Sequence, residues 1–356
     1  MKLKVVVKRN LPLLRLALAG VAAATAASSL RADTTVVFAG GNASSSVLYD
    51  RASNVLSGLT VTVASSTLQT FTGTIPGQSG LGNVTIHFVL SGAVGGLQSV
   101  ANQANVTTAT GASLAPQVAV SSTSPSAVGV DPSVFTSAQT LVVPYAFIKN
   151  PASSALAGVT NLTQRQAAYL ESAAGTLPVS YFGGTGTNLI YLVGRNTASA
   201  VRTEIDANVY FTGTLATYTT NSSLQPIPDT SANPGQSSGA AIRSLLGVIT
   251  NAIGTVAASD IKTFTPLAYE GVPYSVANVE NGSYPLWGYE AWYQLSAGSQ
   301  GAPSANQTAV INALFSAVTS ATYQTTSPVF VGNFAPLSGL QVYRSADGGP
   351  IQSLLY

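Results

Sequence analysis

Short apolar runs that end in turns rich in glycine, serine or threonine recur along the chain. Residues 34–39, 83–90 and 190–193 are three such runs. After the first turn, apolar residues return at helical spacing between residues 47 and 56. Strands that alternate with helices in this way are typical of α/β sheets, which bind ligands at the carboxyl ends of their strands. The pattern therefore predicts an α/β fold with candidate ligand-binding turns.

The turn after residues 190–193 is the strongest candidate for a functional site. It predicts a helix through residues 203–205, with Arg195, Thr197 and Ser199 at the helix start. Free backbone N–H groups and the positive end of the helix dipole suit an anion there, and the arginine adds a planar fork of donors. Taken alone, the stretch is better explained as an ordinary N-cap followed by an exposed arginine.

The first 32 residues have the pattern of a secretory signal peptide. Basic residues precede an apolar run over residues 11–27, and small residues lead to a predicted cleavage after Ala32 or earlier, near Ala26. The run is too short and too rich in alanine for a convincing membrane span. The chain has no cysteine, so neither lipoprotein anchoring nor a disulfide is expected. We expect a protein that is free in the periplasm or outside the cell.

Loss of this leader changes the charge balance. It removes six of the 14 basic residues and none of the 12 acidic ones, so the net charge changes from +2 to −4. The remaining basic residues are scattered, which argues against nucleic acid as a partner. The single histidine, His87, lies in the middle of a predicted strand, and no carboxylate cluster or metal-ligand spacing stands out. We therefore expect neither an enzyme nor a metal or cofactor site.

Two motifs resemble those of a known family. Residues 194–202, Gly-Arg-Asn-Thr-Ala-Ser-Ala-Val-Arg, resemble the Gly-Arg-Asp-x-Gly-Ser-Gly-Thr-Arg loop of the phosphate-binding receptors of ABC importers, although both loop glycines are alanines here. Residues 271–286 follow the receptors' Gly-Val-x-Pro-(Ser/Thr)-x-x-Asn-(Ile/Val)-x-x-Gly-x-Tyr-Pro-Leu pattern more closely. In all, the resemblance covers most of residues 34–340 in the same order.

The resemblance implies the α/β fold of a two-lobed type 2 periplasmic binding protein, with mixed sheets flanked by helices and a ligand cleft between the lobes. Residues 33–144 and 287–356 are then expected to form lobe 1, and residues 145–286 to form lobe 2. Two crossing strands, near residues 142–149 and 285–295, are expected to join them.

The resemblance also implies a ligand and a set of contacts. We expect an oxyanion, phosphate foremost, and an ABC importer as the membrane partner, with the binding protein itself a monomer. Ser122 stands where the receptors have an aspartate that accepts a hydrogen bond from protonated phosphate, so sulfate should compete better here. The expected ligand-binding residues are Ser44, Ser45, Ser121, Ser122, Arg195, Thr197 and Ser199.

A second hypothesis is a secreted surface or matrix protein that kept this fold and lost its ligand. The low charge content and the altered loops favour it. The retained Arg195 and Ser199 favour binding.

Overall fold

The structure is a computed structural model that describes residues 33–354, so the predicted signal peptide lies outside the described residues. The helices are α1 Ser45–Val55, α2 Ala93–Ala101, α3 Gln164–Ala173, α4 Ala200–Val209, α5 Gly239–Leu246, α6 Val276–Glu280, α7 Ala305–Val318 and α8 Ala321–Thr326. The strands are β1 Thr34–Gly40, β2 Ser57–Ser65, β3 Leu68–Thr74, β4 Val84–Val89, β5 Val106–Thr107, β6 Ser113–Leu114, β7 Val118–Ser121, β8 Phe135–Lys149, β9 Asn161–Leu162, β10 Tyr191–Val193, β11 Tyr218–Thr220, β12 Pro226–Pro228, β13 Ala252–Ala257, β14 Thr265–Pro266, β15 Ala268–Tyr269, β16 Trp287–Leu295, β17 Val342–Tyr343 and β18 Gln352–Ser353.

One large mixed sheet organises the chain, in the order β10-β13-β8-β16-β7-β1-β4-β3-β2, with β14 also paired to β8. Strand β1 runs parallel to both β4 and β7, and β10 runs parallel to β13. Strands β7 and β13 are buried along their whole length, as expected of central strands covered on both faces. The predicted α/β class, with a mixed sheet flanked by helices, is confirmed.

Strand β8 is longer than the predicted crossing segment and changes its partner midway. Residues 135–144 pair with β16, whereas residues 145–149 pair with β13. The ladder is continuous through β8, so strand pairing alone does not separate two lobes. The boundaries expected at 144/145 and 286/287 therefore stay a prediction.

Helices cover both faces of the sheet. Helix α7 packs on the same face as α1, where Trp292 of β16 contacts Phe38 and Phe315 edge-on at ring-centroid distances of 5.0 and 5.5 Å. Helix α2 lies on β1 and β7. None of the described helices is both long and apolar enough to cross a membrane.

Candidate functional site

The turns after β1, β4 and β7 lie side by side because these strands are parallel neighbours. The Gly92 amide donates to the carbonyl of Gly40 at 2.8 Å, and the Gly41 amide donates to the carbonyl of Val120 at 2.8 Å. Helices α1 and α2 begin directly after two of these turns. The sheet edge thus gathers two helix N-termini and the Ser121 turn, as the sequence pattern predicted for this kind of fold.

Ser44 lies at the start of α1 and is fully buried. Its hydroxyl does not cap the helix; it donates instead to Oε1 of Glu290 at 2.7 Å. Ser45 follows at the first position of α1 and is half-buried. The hydroxyl of Ser44 therefore already has a protein partner.

Glu290 is a site residue that the motifs did not reveal. It is 1% exposed in the middle of β16, where Thr140 Oγ1 also lies 3.4 Å from its Oε1. Burial raises the pKa of Glu290 to about 7, against the opposing effect of the hydrogen bonds from Ser44 and Thr140. The sequence signal for it was that Glu290 is the one charged residue in the largely aromatic stretch 287–295. The carboxyl group is largely protonated below neutral pH.

Ser121 and Ser122 are both buried at the end of β7. The Ser121 hydroxyl donates to the carbonyl of Thr123 at 2.8 Å and accepts from the Thr123 amide at 3.1 Å, so it stabilises its own turn. Beside it, Asp347 accepts from the Thr123 hydroxyl at 2.9 Å and from the Ser124 amide at 2.7 Å. The C-terminal segment thus brings a carboxylate to this turn.

A second buried carboxyl group, Glu204 of α4, faces the same region. Burial raises its pKa well above the ordinary range; the neighbouring Asp347 raises it further, while Arg344 lowers it. A Cβ atom on Gly288 would lie 3.0 Å from the Glu204 carboxyl carbon and 3.0 Å from the carbonyl of Ser122. Glycine at this position therefore lets α4 approach the turn after β7.

Arg195 follows β10 and is only 4% exposed, contrary to the interpretation of an exposed arginine after an N-cap. Its Nε donates to the carbonyl of Gln236 at 3.0 Å, and its Nη2 donates to that of Ser237 at 2.9 Å. Burial lowers its pKa to about 10, and the charge of Asp260 opposes this shift. The guanidinium is still protonated at neutral pH, and Nη1 has no hydrogen-bond acceptor among the described residues.

Ser199 is the N-cap residue of α4, yet its side chain makes no capping hydrogen bond. It is 4% exposed, and its hydroxyl oxygen has no hydrogen-bond partner within residues 33–354. A buried hydroxyl without a partner costs free energy, so such a group calls for an explanation. The neighbouring Arg195 makes a bound anion one such explanation.

Thr197 behaves differently from its neighbours in the loop. It is exposed, and both its amide and its hydroxyl donate to Oδ1 of Asn233, at 3.1 and 2.8 Å. The residue therefore connects the Arg195 loop to the loop that precedes α5.

The loop after β10 touches the turn after β4, and the segment after β13 touches the turn after β1. The Val94 amide lies 3.5 Å from the carbonyl of Ala198, and a Cβ on Gly92 would lie 3.0 Å from the same oxygen. The Ser259 hydroxyl, after β13, donates to the carbonyl of Ala43, after β1, at 3.0 Å. The structure therefore brings the loops that carry the predicted residues of the two expected lobes close to one another.

The described residues include no group of three or more His, Asp or Glu side chains that could hold a metal ion.

Comparisons with known proteins identify the fold. No protein-family profile and no curated sequence matches the chain. A candidate phosphate ABC transporter substrate-binding protein from Clostridium perfringens, solved with bound phosphate, superposes with a TM-score of 0.58 at 14% identity, over 85% of this chain and 100% of that one. The phosphate-bound periplasmic protein PfluDING gives a TM-score of 0.54 at 14% identity, over 85% and 91%. An ABC-type phosphate transport receptor from Vibrio cholerae gives 0.50 at 15%, over 79% and 93%. This chain has the fold of the phosphate ABC transporter substrate-binding proteins.

Proposed function

We propose that the protein is a periplasmic or secreted solute-binding protein that captures an oxyanion, phosphate foremost, and delivers it to an ABC importer. The partnerless, buried hydroxyl of Ser199 carries this proposal. It lies at the N-terminus of a ten-residue helix, four residues after a buried arginine. A tetrahedral oxyanion would accept hydrogen bonds from the hydroxyl, the guanidinium and the first amides of α4.

The buried position of Arg195 suits this role. Two backbone carbonyls hold Nε and Nη2, which fixes the plane of the guanidinium before any ligand arrives. A donor that is already oriented loses less conformational entropy on binding. Its remaining Nη1 is then the group available to an anion.

The opposite wall would come from Ser44, Ser45, Ser121 and Ser122. An ionised Glu290 next to Ser44 would repel an anion, whereas a protonated one can donate to the Ser44 oxygen and free the Ser44 hydroxyl for the ligand. The raised pKa of Glu290 favours the protonated form below neutral pH. Residues 33–144 with 287–356, and residues 145–286, would be the two lobes that close on the anion.

Ser199→Ala is the first test, because it separates binding from folding. Without ligand, the variant should melt at the same temperature as the wild type or higher, since it loses only a hydroxyl that has no partner. Titration calorimetry with phosphate should show roughly tenfold weaker binding or worse, as expected for a lost hydrogen bond to a charged group, worth about 1.5 kcal/mol or more. Ser172→Ala, at an exposed position of α3, is the matched control.

Arg195→Ala is the second test. It should weaken phosphate binding roughly tenfold to hundredfold, and Arg195→Lys should restore only part of the affinity because a point charge cannot replace the planar fork. Arg165→Ala, at an exposed position of α3, should leave affinity unchanged. Equal destabilisation of Arg195→Ala with and without phosphate would make the arginine a scaffold residue.

The alternative, a surface or matrix protein that has lost its ligand, has its own supporting observation. The hydroxyls of Ser44 and Ser121 are both used by protein atoms. Absence of both heat and thermal stabilisation with millimolar phosphate and sulfate would favour this alternative over binding.

A further inference from the structure

Strand β2 is one edge of the large sheet. It stands at the end of the strand order and pairs with β3 alone among the described strands. All nine of its residues are exposed, and Leu59, Val61 and Val63 alternate along one face at 37%, 41% and 61% exposure. An edge of this kind presents a row of free backbone N–H and C=O groups to another strand.

Two of the usual protections of such an edge, charged side chains and proline, are missing here, although the pairing of β2 with β3 is irregular between Ser57 and Thr60 and between Val63 and Ser65. Natural sheets keep other strands away with charged side chains, proline or bulges that turn the edge aside. Residues 52–130 contain no Asp, Glu, Lys or Arg, and β2 contains no proline. Two identical β2 strands can therefore approach without like-charge repulsion.

The sequence of β2 also reads nearly the same in both directions. Similar residues lie at equal distances on either side of the central Val61 in its sequence, Ser-Gly-Leu-Thr-Val-Thr-Val-Ala-Ser. The outermost pair is two serines, the next is two small residues, the next two aliphatic residues, and the innermost two threonines. An antiparallel pair related by a two-fold axis places position i of one strand opposite the mirrored position of the other. A partner strand from a different protein would impose no such symmetry.

We propose that β2 pairs antiparallel with β2 of a second copy of this chain, with the two-fold axis at Val61. Val61 then lies opposite Val61 of the second copy, Leu59 opposite its Val63, and Thr60 opposite its Thr62. The three apolar side chains of each strand meet across the axis, where facing aliphatic pairs stabilise a sheet. This pairing closes into a dimer with one continuous sheet and replaces the monomer expected from the sequence.

The dimer is independent of the proposed anion site. Strand β2 ends the sheet on one side, whereas β10, from which the Arg195 loop follows, ends it on the other. Failure of the dimer would leave the anion site untouched, and failure of anion binding would leave the dimer untouched.

Cysteine cross-linking tests the axis directly, because the chain contains no cysteine. Opposed Cβ atoms lie about 5 Å apart across a strand pair, close enough for a disulfide after small adjustments. Val61→Cys should therefore form a covalent dimer under mild oxidation. Val63→Cys is the matched control. In the proposed pairing, residue 63 of one copy and residue 63 of the other are offset by four residues along the strands, which is about 14 Å. Equal cross-linking of the two variants would overturn the proposed axis.

Charge pairs test the register without a covalent bond. Thr60→Lys combined with Thr62→Glu places each lysine opposite a glutamate of the second copy, whereas Thr60→Lys combined with Thr62→Lys places lysine opposite lysine. Sedimentation equilibrium should show a dimer for the wild type and the Lys/Glu variant, and a monomer for the Lys/Lys variant. All three should melt alike when diluted to monomer, since both positions are exposed. A wild type that is monomeric up to its solubility limit would overturn the proposal.

Discussion

Glu290→Gln is the substitution whose effect on stability can be worked out most fully. In the folded protein, burial raises the pKa of Glu290 from 4.5 to about 7. Between these values the folded state holds a proton that the unfolded state has released. Stability therefore falls as the pH rises through this window and levels off above pH 7. The shift corresponds to about 3 kcal/mol of unfolding free energy, most of it lost between pH 5 and pH 8.

Glutamine has the shape of the protonated carboxyl group and stays neutral at every pH. Its side-chain oxygen can still accept from the Ser44 hydroxyl, which lies 2.7 Å from Oε1 in the native protein. Near pH 5 the variant should be about as stable as the wild type. At pH 8 it should be more stable by about 2 to 3 kcal/mol, because it avoids an ionised carboxylate in the core.

Urea denaturation at a series of pH values measures this difference. Other buried carboxyls, such as Glu204 and Glu171, have raised pKa values and add their own pH dependence, but they are present in both proteins and cancel in the comparison. Glu270→Gln, at an exposed position, controls for the loss of one negative charge. If the stability difference between Glu290→Gln and the wild type is the same at pH 5 and pH 8, the reasoning is refuted.

Two further predictions concern the scaffold. Gly96→Ala should destabilise the protein by about 1 to 3 kcal/mol, because the added Cβ would lie 2.7 Å from the carbonyl oxygen of Ala39. Gly95→Ala, in the same helix, meets open space and should stabilise the protein by about 0.5 to 1 kcal/mol. Equal effects of the two substitutions in thermal denaturation would contradict the packing argument. Thr163→Ala removes the capping box of α3 and should cost about 1 kcal/mol in urea denaturation, against little change for Ser172→Ala in the same helix.

Local patterns were enough to predict much of the architecture. The apolar run at residues 34–39 became β1, and the helical spacing between residues 47 and 56 became α1, Ser45–Val55. Boundaries were less accurate: β8 runs from Phe135 to Lys149, whereas the crossing strand was expected near residues 142–149. These elements could be predicted because side-chain periodicity and turn residues act within a few positions along the chain.

For the candidate site, the sequence could name residues but not their partners. Arg195 and Ser199 stood out by motif, yet only the folded chain shows that the arginine is buried and that the serine hydroxyl lacks a partner. The contact between Ser44 and Glu290 joins residues 246 positions apart. The sequence by itself determined the elements and the candidate donors, because those depend on neighbouring residues. The tertiary structure alone decided which groups lose their water and face one another, because burial and charge interactions depend on distance in space.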